Sequence, residues 1–79
     1  MPKITKKMTQ SVIRDAQGNI DEMSRAITLG DLNWHWGAAT SLLNVSEAWN
    51  VIDLDTVASL RMAAHDTYRR VAASIAFAH

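Results

Sequence analysis

The chain contains no cysteine, which removes disulfides outright and leaves a structural zinc site without its usual thiolates. A domain of 79 residues buries only about 60–65% of the surface its unfolded form exposes, so its own core is thin. With disulfides and zinc set aside, oligomerisation is the remaining way to gain stability. No uninterrupted apolar run approaches the roughly 20 residues that a spanning helix needs, so an integral membrane protein is not expected. Met1 to Lys7 is not followed by the apolar core of a signal peptide. Together with the missing cysteines, this makes the cytoplasm the expected location.

Chemistry-bearing motifs are equally scarce. Gly18, Gly30 and Gly37 are scattered and build no phosphate loop. No serine or threonine sits in a strand–turn–helix elbow. His35, His65 and His79 lack the helical spacing of a metal pair. Folding brings His35 and His65 together only if their helices are antiparallel neighbours, and the expected role of His35 is that of a hydrogen-bonded histidine at the edge of the core. The reading is therefore a non-enzymatic protein with no catalytic residue, no cofactor and no metal.

The net charge of zero conceals a division along the chain. Lys3, Lys6, Lys7 and Arg14 precede any acid, the segment 15–55 opposes seven acids to Arg25, and Arg61, Arg69 and Arg70 then outweigh Asp66. A basic start beside an acidic middle suits contact with itself or with a second chain. It is not the broad basic face of a dedicated nucleic-acid binder.

Residues 1–10 are polar, basic and aperiodic, and are read as a flexible arm ahead of a single helical domain over 11–79. Residues 11–20 are ambiguous, because Val12, Ile13 and Ile20 flank an Asp-x-x-Gly-Asn stretch with turn chemistry. Asp21 and Glu22 suit a first turn, and Gly30 suits a C-terminal cap, which predicts a helix over 21–29. Asp31 then offers an N-cap. Leu32, His35, Ala39, Leu42, Val45, Trp49 and Ile52 recur at steps of three and four, predicting a helix over 31–52 that carries all three tryptophans. The competing division breaks it at Asn44, with Ser46 capping a separate short helix. Asp53 or Asp55 caps a last helix over 55–78, whose inward stripe is Val57, Leu60, Ala64, Tyr68, Val71, Ile75 and Ala78. The short connection at 53–55 makes the last two helices antiparallel neighbours. The fold class is all-α: a long antiparallel helical hairpin with a shorter helix laid across it, three-helix bundle-like.

Residues 38–46 resemble the first helix and turn of a helix-turn-helix DNA reader, with Ser46–Asp53 in the place of the recognition helix. Thr40 then stands where a small apolar residue is normal, and Asn50 where a buried valine or isoleucine is normal. That helix would also present Glu47 and Asp53, without one base, to phosphate. Nucleic acid is thus a second choice of partner.

The first choice is protein. Trp34 and Trp36 are two positions apart, a turn of about 200°, so they cannot share a helical face. Trp34 is the one expected to point away from the core and to anchor an interface. The candidate protein interface is Trp34, Trp36, Leu42, Trp49 and Ile52, serving a homodimer built around helix 31–52. Arg61, His65, Arg69 and Arg70 form a candidate charged contact strip on the last helix, able to meet an acidic protein surface or the acidic segment 47–55 of a sister chain. The expected function is that of a small regulator or inhibitor of a larger protein, the kind of compact helical chain common among bacterial and phage accessory proteins. Alternatives are the DNA-binding regulator and a purely structural oligomer subunit.

Overall fold

The computed structural model describes residues 5–78, which form three α-helices and, among the described residues, no strand. Helix α1 spans Lys6–Ser24, α2 Leu29–Ala48 and α3 Leu54–Ala78. They pack lengthwise into a bundle of 49 × 18 × 16 Å. The all-α, bundle-like class is the one read from the sequence, and α3 begins one residue before its expected start. Helix α1 is also the shortest of the three, but it is not laid across the hairpin: a bundle only 18 Å wide leaves a helix of 19 residues, roughly 28 Å long, no direction except alongside.

The N-terminal boundaries differ from expectation. Of the helix expected over 21–29, only 21–24 is helical, as the end of a longer one that begins at Lys6, where the Thr5 hydroxyl accepts from the Met8 N–H at 3.2 Å and caps it; residues 25–28 connect it to α2. The arm expected over 1–10 is therefore helix from residue 6 onward, and residues 1–4 of that arm lie outside the described residues. Helix α1 runs through Gly18 and Asn19 because Ala16, Ile20 and Met23 turn inward at steps of three and four. Local turn chemistry yields to that packing. Gly30 does not cap α1 but lies in the first turn of α2, whose N-cap is Thr28 and not Asp31. The Thr28 hydroxyl accepts from the Asp31 N–H at 3.2 Å.

Helix α2 passes unbroken through Asn44 and Ser46, so Ser46 caps no separate helix and the turn required by the helix-turn-helix likeness is not formed there. Ser46 is buried, and its hydroxyl donates to the Leu42 carbonyl at 2.7 Å. The helix stops at Ala48, short of the expected residue 52. Asn50 adopts a left-handed φ of 56°. Its N–H bonds the Glu47 carbonyl and the Val51 N–H bonds the Ser46 carbonyl, the paired closure that ends a helix on an asparagine or glycine. Asp53 then caps α3 by accepting from the Thr56 N–H at 2.7 Å.

Two clusters make up the core. Ala16, Leu43, Ile52, Val57 and Leu60 fill the end where α2 turns into α3. Met23, Leu32, Val71 and Ile75 fill the other, with Trp36, Tyr68 and Ala72 packed against them. The inward stripe of α3 matches the expected one apart from Ala78, which is exposed. The inward stripe of α2 is Leu32, Ala39, Leu43 and Ser46, whereas Val45 and Trp49 of the expected stripe are exposed.

Candidate protein-association surface

A helix in a three-helix bundle buries one face and turns the opposite face to water, and that outer face is normally charged. The outer face of α2 is not. Between Asp31 and Glu47 the helix has no charged residue, and on the side away from Leu32, Ala39 and Leu43 it presents Trp34 at 72% exposure, Val45 at 56% and Trp49 at 58%. Leaving large apolar groups in water is unfavourable by about 25 cal/mol per Å². Burial of these side chains against another molecule would remove that cost.

The five candidate interface residues divide. Trp34 and Trp49 are on the outer face. Trp36 is half-buried, its ring 5.0 Å from that of Tyr68 and 6.3 Å from that of His65. Leu42 is half-buried and packs on the core, and Ile52 is inside it. Ile52 is thus corrected from interface to core, because the chain has already left the helix at Asn50 and the connection swings Ile52 inward. Val45 belongs to the exposed face and was expected inside. Its signal was its place between Trp34 and Trp49 at helical spacing.

In the candidate charged strip, Arg61 lies 2.6 Å from the Glu47 carboxylate of its own chain. That pair is about 40% exposed on average, with each partner's side chain between 36% and 43%, and such pairs contribute at most about 1 kcal/mol. His65 is exposed beside Trp36, and Arg69 and Arg70 are exposed further along α3. Trp36, Thr40, Arg61, Met62, His65 and Asp66 line a shallow groove between α2 and α3.

His35 does not meet His65. Its Nδ1 lies 3.2 Å from Oδ1 of Asn19, joining α2 to α1 at the edge of the core. Among the described residues, no three histidine, aspartate or glutamate side chains converge as a metal site would require. No buried side-chain nitrogen or oxygen among the described residues lacks a hydrogen-bond partner, and no described helix is long and apolar enough to cross a membrane. Comparison with known protein families, with characterised proteins and with solved structures finds no match to this chain.

Proposed function

We propose that this protein is a non-enzymatic association module, which pairs with itself through the outer face of α2 and regulates or inhibits a larger protein through the surface that remains. The observation that carries this reading is the exposure of Trp34, Val45 and Trp49 on a helix without charge between Asp31 and Glu47. Tryptophan is the residue most enriched at the energetic centres of protein interfaces. A thin core supports the same reading, since association adds buried area that a chain of this size lacks.

Light scattering after size-exclusion chromatography, over a wide concentration range and at low and moderate salt, tests the proposal. An assembly is expected that weakens little with salt, because an apolar contact is not screened. Trp34→Ser combined with Trp49→Ser is expected to yield a folded monomer. A wild-type chain that stays monomeric throughout would overturn self-pairing.

A further inference from the structure

We propose that the outer face of α2 meets the same face of a second copy antiparallel, about a two-fold axis beside Ser41. This rests on the association reading above and adds its geometry. Trp34, Ala38, Ser41, Val45 and Ala48 follow one another at alternating steps of four and three, the spacing that keeps one face along a neighbouring helix. Trp49 borders the end of that seam. The seam lies opposite Leu32, Ala39, Leu43 and Ser46, so α2 carries a second helix-packing stripe while its first is occupied by its own core.

Shape identifies the occupant as a second copy. The seam is bulky at Trp34 and Trp49 and small at Ala38, Ser41 and Ala48. Reversing one copy about Ser41 lays each Trp34 over the partner copy's small Ala48 position and beside its second tryptophan, at both ends at once. A parallel pair would stack Trp34 on its own counterpart and leave Ala48 facing alanine across a gap. A two-fold contact must be complementary to itself in this sense.

Charge supports the same arrangement. A charged peptide finds no counter-charge on the seam. Helix α1 borders it, since Arg14, Asp15 and Glu22 share a surface hollow with Ala38 and Leu42. The first half of α1 carries Lys6, Lys7 and Arg14, and the second half Asp15, Asp21 and Glu22. Reversal sets the basic half of one rim toward the acidic half of the other and opposes the two α2 dipoles. As for area, Trp34, Val45 and Trp49 at 72%, 56% and 58% exposure offer roughly 400 Å² per chain, taking about 150–250 Å² for a large aromatic. With the small residues between them, a symmetric pair removes about 1,000 Å² from water, the lower bound for a specific interface. The dimer is accordingly concentration-dependent.

Because the chain has no cysteine, single-cysteine variants each report one contact, and a disulfide forms only where Cα atoms approach within about 7 Å. Under mild oxidation Ser41→Cys is expected to give a covalent dimer. Ala38→Cys mixed with Val45→Cys is expected to cross-link several-fold more than either alone. Ser59→Cys, exposed on α3, is expected to stay uncross-linked. Circular dichroism of each reduced variant establishes that it is folded. If the wild type dimerises by light scattering but Ser41→Cys does not cross-link, the two-fold at Ser41 is overturned while association stands. Equal self-cross-linking of Ala38→Cys, Ser41→Cys and Val45→Cys would replace it with a parallel pair. A wild type monomeric at every concentration removes both this geometry and the self-pairing beneath it.

Discussion

The Thr9 hydroxyl of α1 donates a hydrogen bond of 2.7 Å to the Val51 carbonyl, in the connection between α2 and α3. The bond joins residues 42 positions apart and supplies a partner to a carbonyl that no helix satisfies. Thr9→Val keeps the shape and removes the donor. It is expected to cost about 1 kcal/mol, the usual net worth of such a bond, read as a lower urea midpoint with an unchanged slope. An unchanged midpoint would mean that water replaces the hydroxyl at no cost.

Asn50 ends α2 in a left-handed conformation, φ 56°. A β-branched residue there carries a penalty of about 1–2 kcal/mol, whereas glycine is at ease. Asn50→Val is therefore expected to destabilise by that amount, and Asn50→Gly to leave stability equal or slightly higher. Thermal unfolding of both variants checks the order. A reversed order would show that side-chain contacts of Asn50, and not its backbone, close the helix.

Gly18 and Gly37 are inside α1 and α2, neither has a positive φ, and a Cβ added to either meets nothing within 4 Å. Each spends conformational freedom without a steric reason. Gly18→Ala and Gly37→Ala are each expected to stabilise the monomer by about 0.5–1 kcal/mol, additively in the double variant since the sites are on different helices. Denaturation in dilute solution measures this apart from association. A destabilised Gly18→Ala would mean that the bend or close approach at this point of α1 matters more than helix propensity.

What the sequence made legible follows from which signals were long-ranged. Helix α3 was legible because its stripe from Val57 to Ile75 persists without interruption. Helix α1 was not, because Asp15, Gly18 and Asn19 carry turn chemistry, and only the packing of Ala16 and Met23 against other helices decides against it. The end of α2 was misplaced for a related reason. Trp49 and Ile52 are spaced as one stripe, yet Trp49 follows the exposed side of α2 with Val45, and the left-handed Asn50 then turns the chain so that Ile52 enters the core. At the candidate surface on α2, the opposed directions of Trp34 and Trp36 were readable from helical geometry alone. The Arg61–Glu47 pair was not, since it joins two helices whose relative register is set by packing.

The Asp53 carboxylate is held below the ordinary aspartate range, chiefly by the Thr56 backbone N–H that it accepts. A carboxyl whose folded pKa is lowered stabilises the fold fully above its unfolded value and loses that contribution as pH falls through the folded one. Asp53→Ala is thus expected to lower the melting temperature at neutral pH, and the gap from wild type is expected to close as pH falls from about 5 to 2. A gap that stays constant over that range would assign the cap to geometry and not to charge.

Trp34 and Trp36 are expected to separate folding from the proposed association within a single turn of α2. Trp36 packs against Tyr68, 5.0 Å between ring centres, and is half-buried. Trp36→Ala is expected to cost about 2 kcal/mol, less than the 3–5 kcal/mol of a fully buried aromatic, because solvent already reaches one side of the ring. Trp34 is 72% exposed, and Trp34→Ala in dilute solution should change monomer stability by no more than about 0.5 kcal/mol. At high concentration the ranking is expected to reverse: Trp34→Ala is expected to abolish the proposed assembly, read by light scattering, and Trp36→Ala to retain it in whatever fraction stays folded. Loss of stability on replacing Trp34 in dilute solution would instead place its ring against its own chain and remove it as an anchor for a partner.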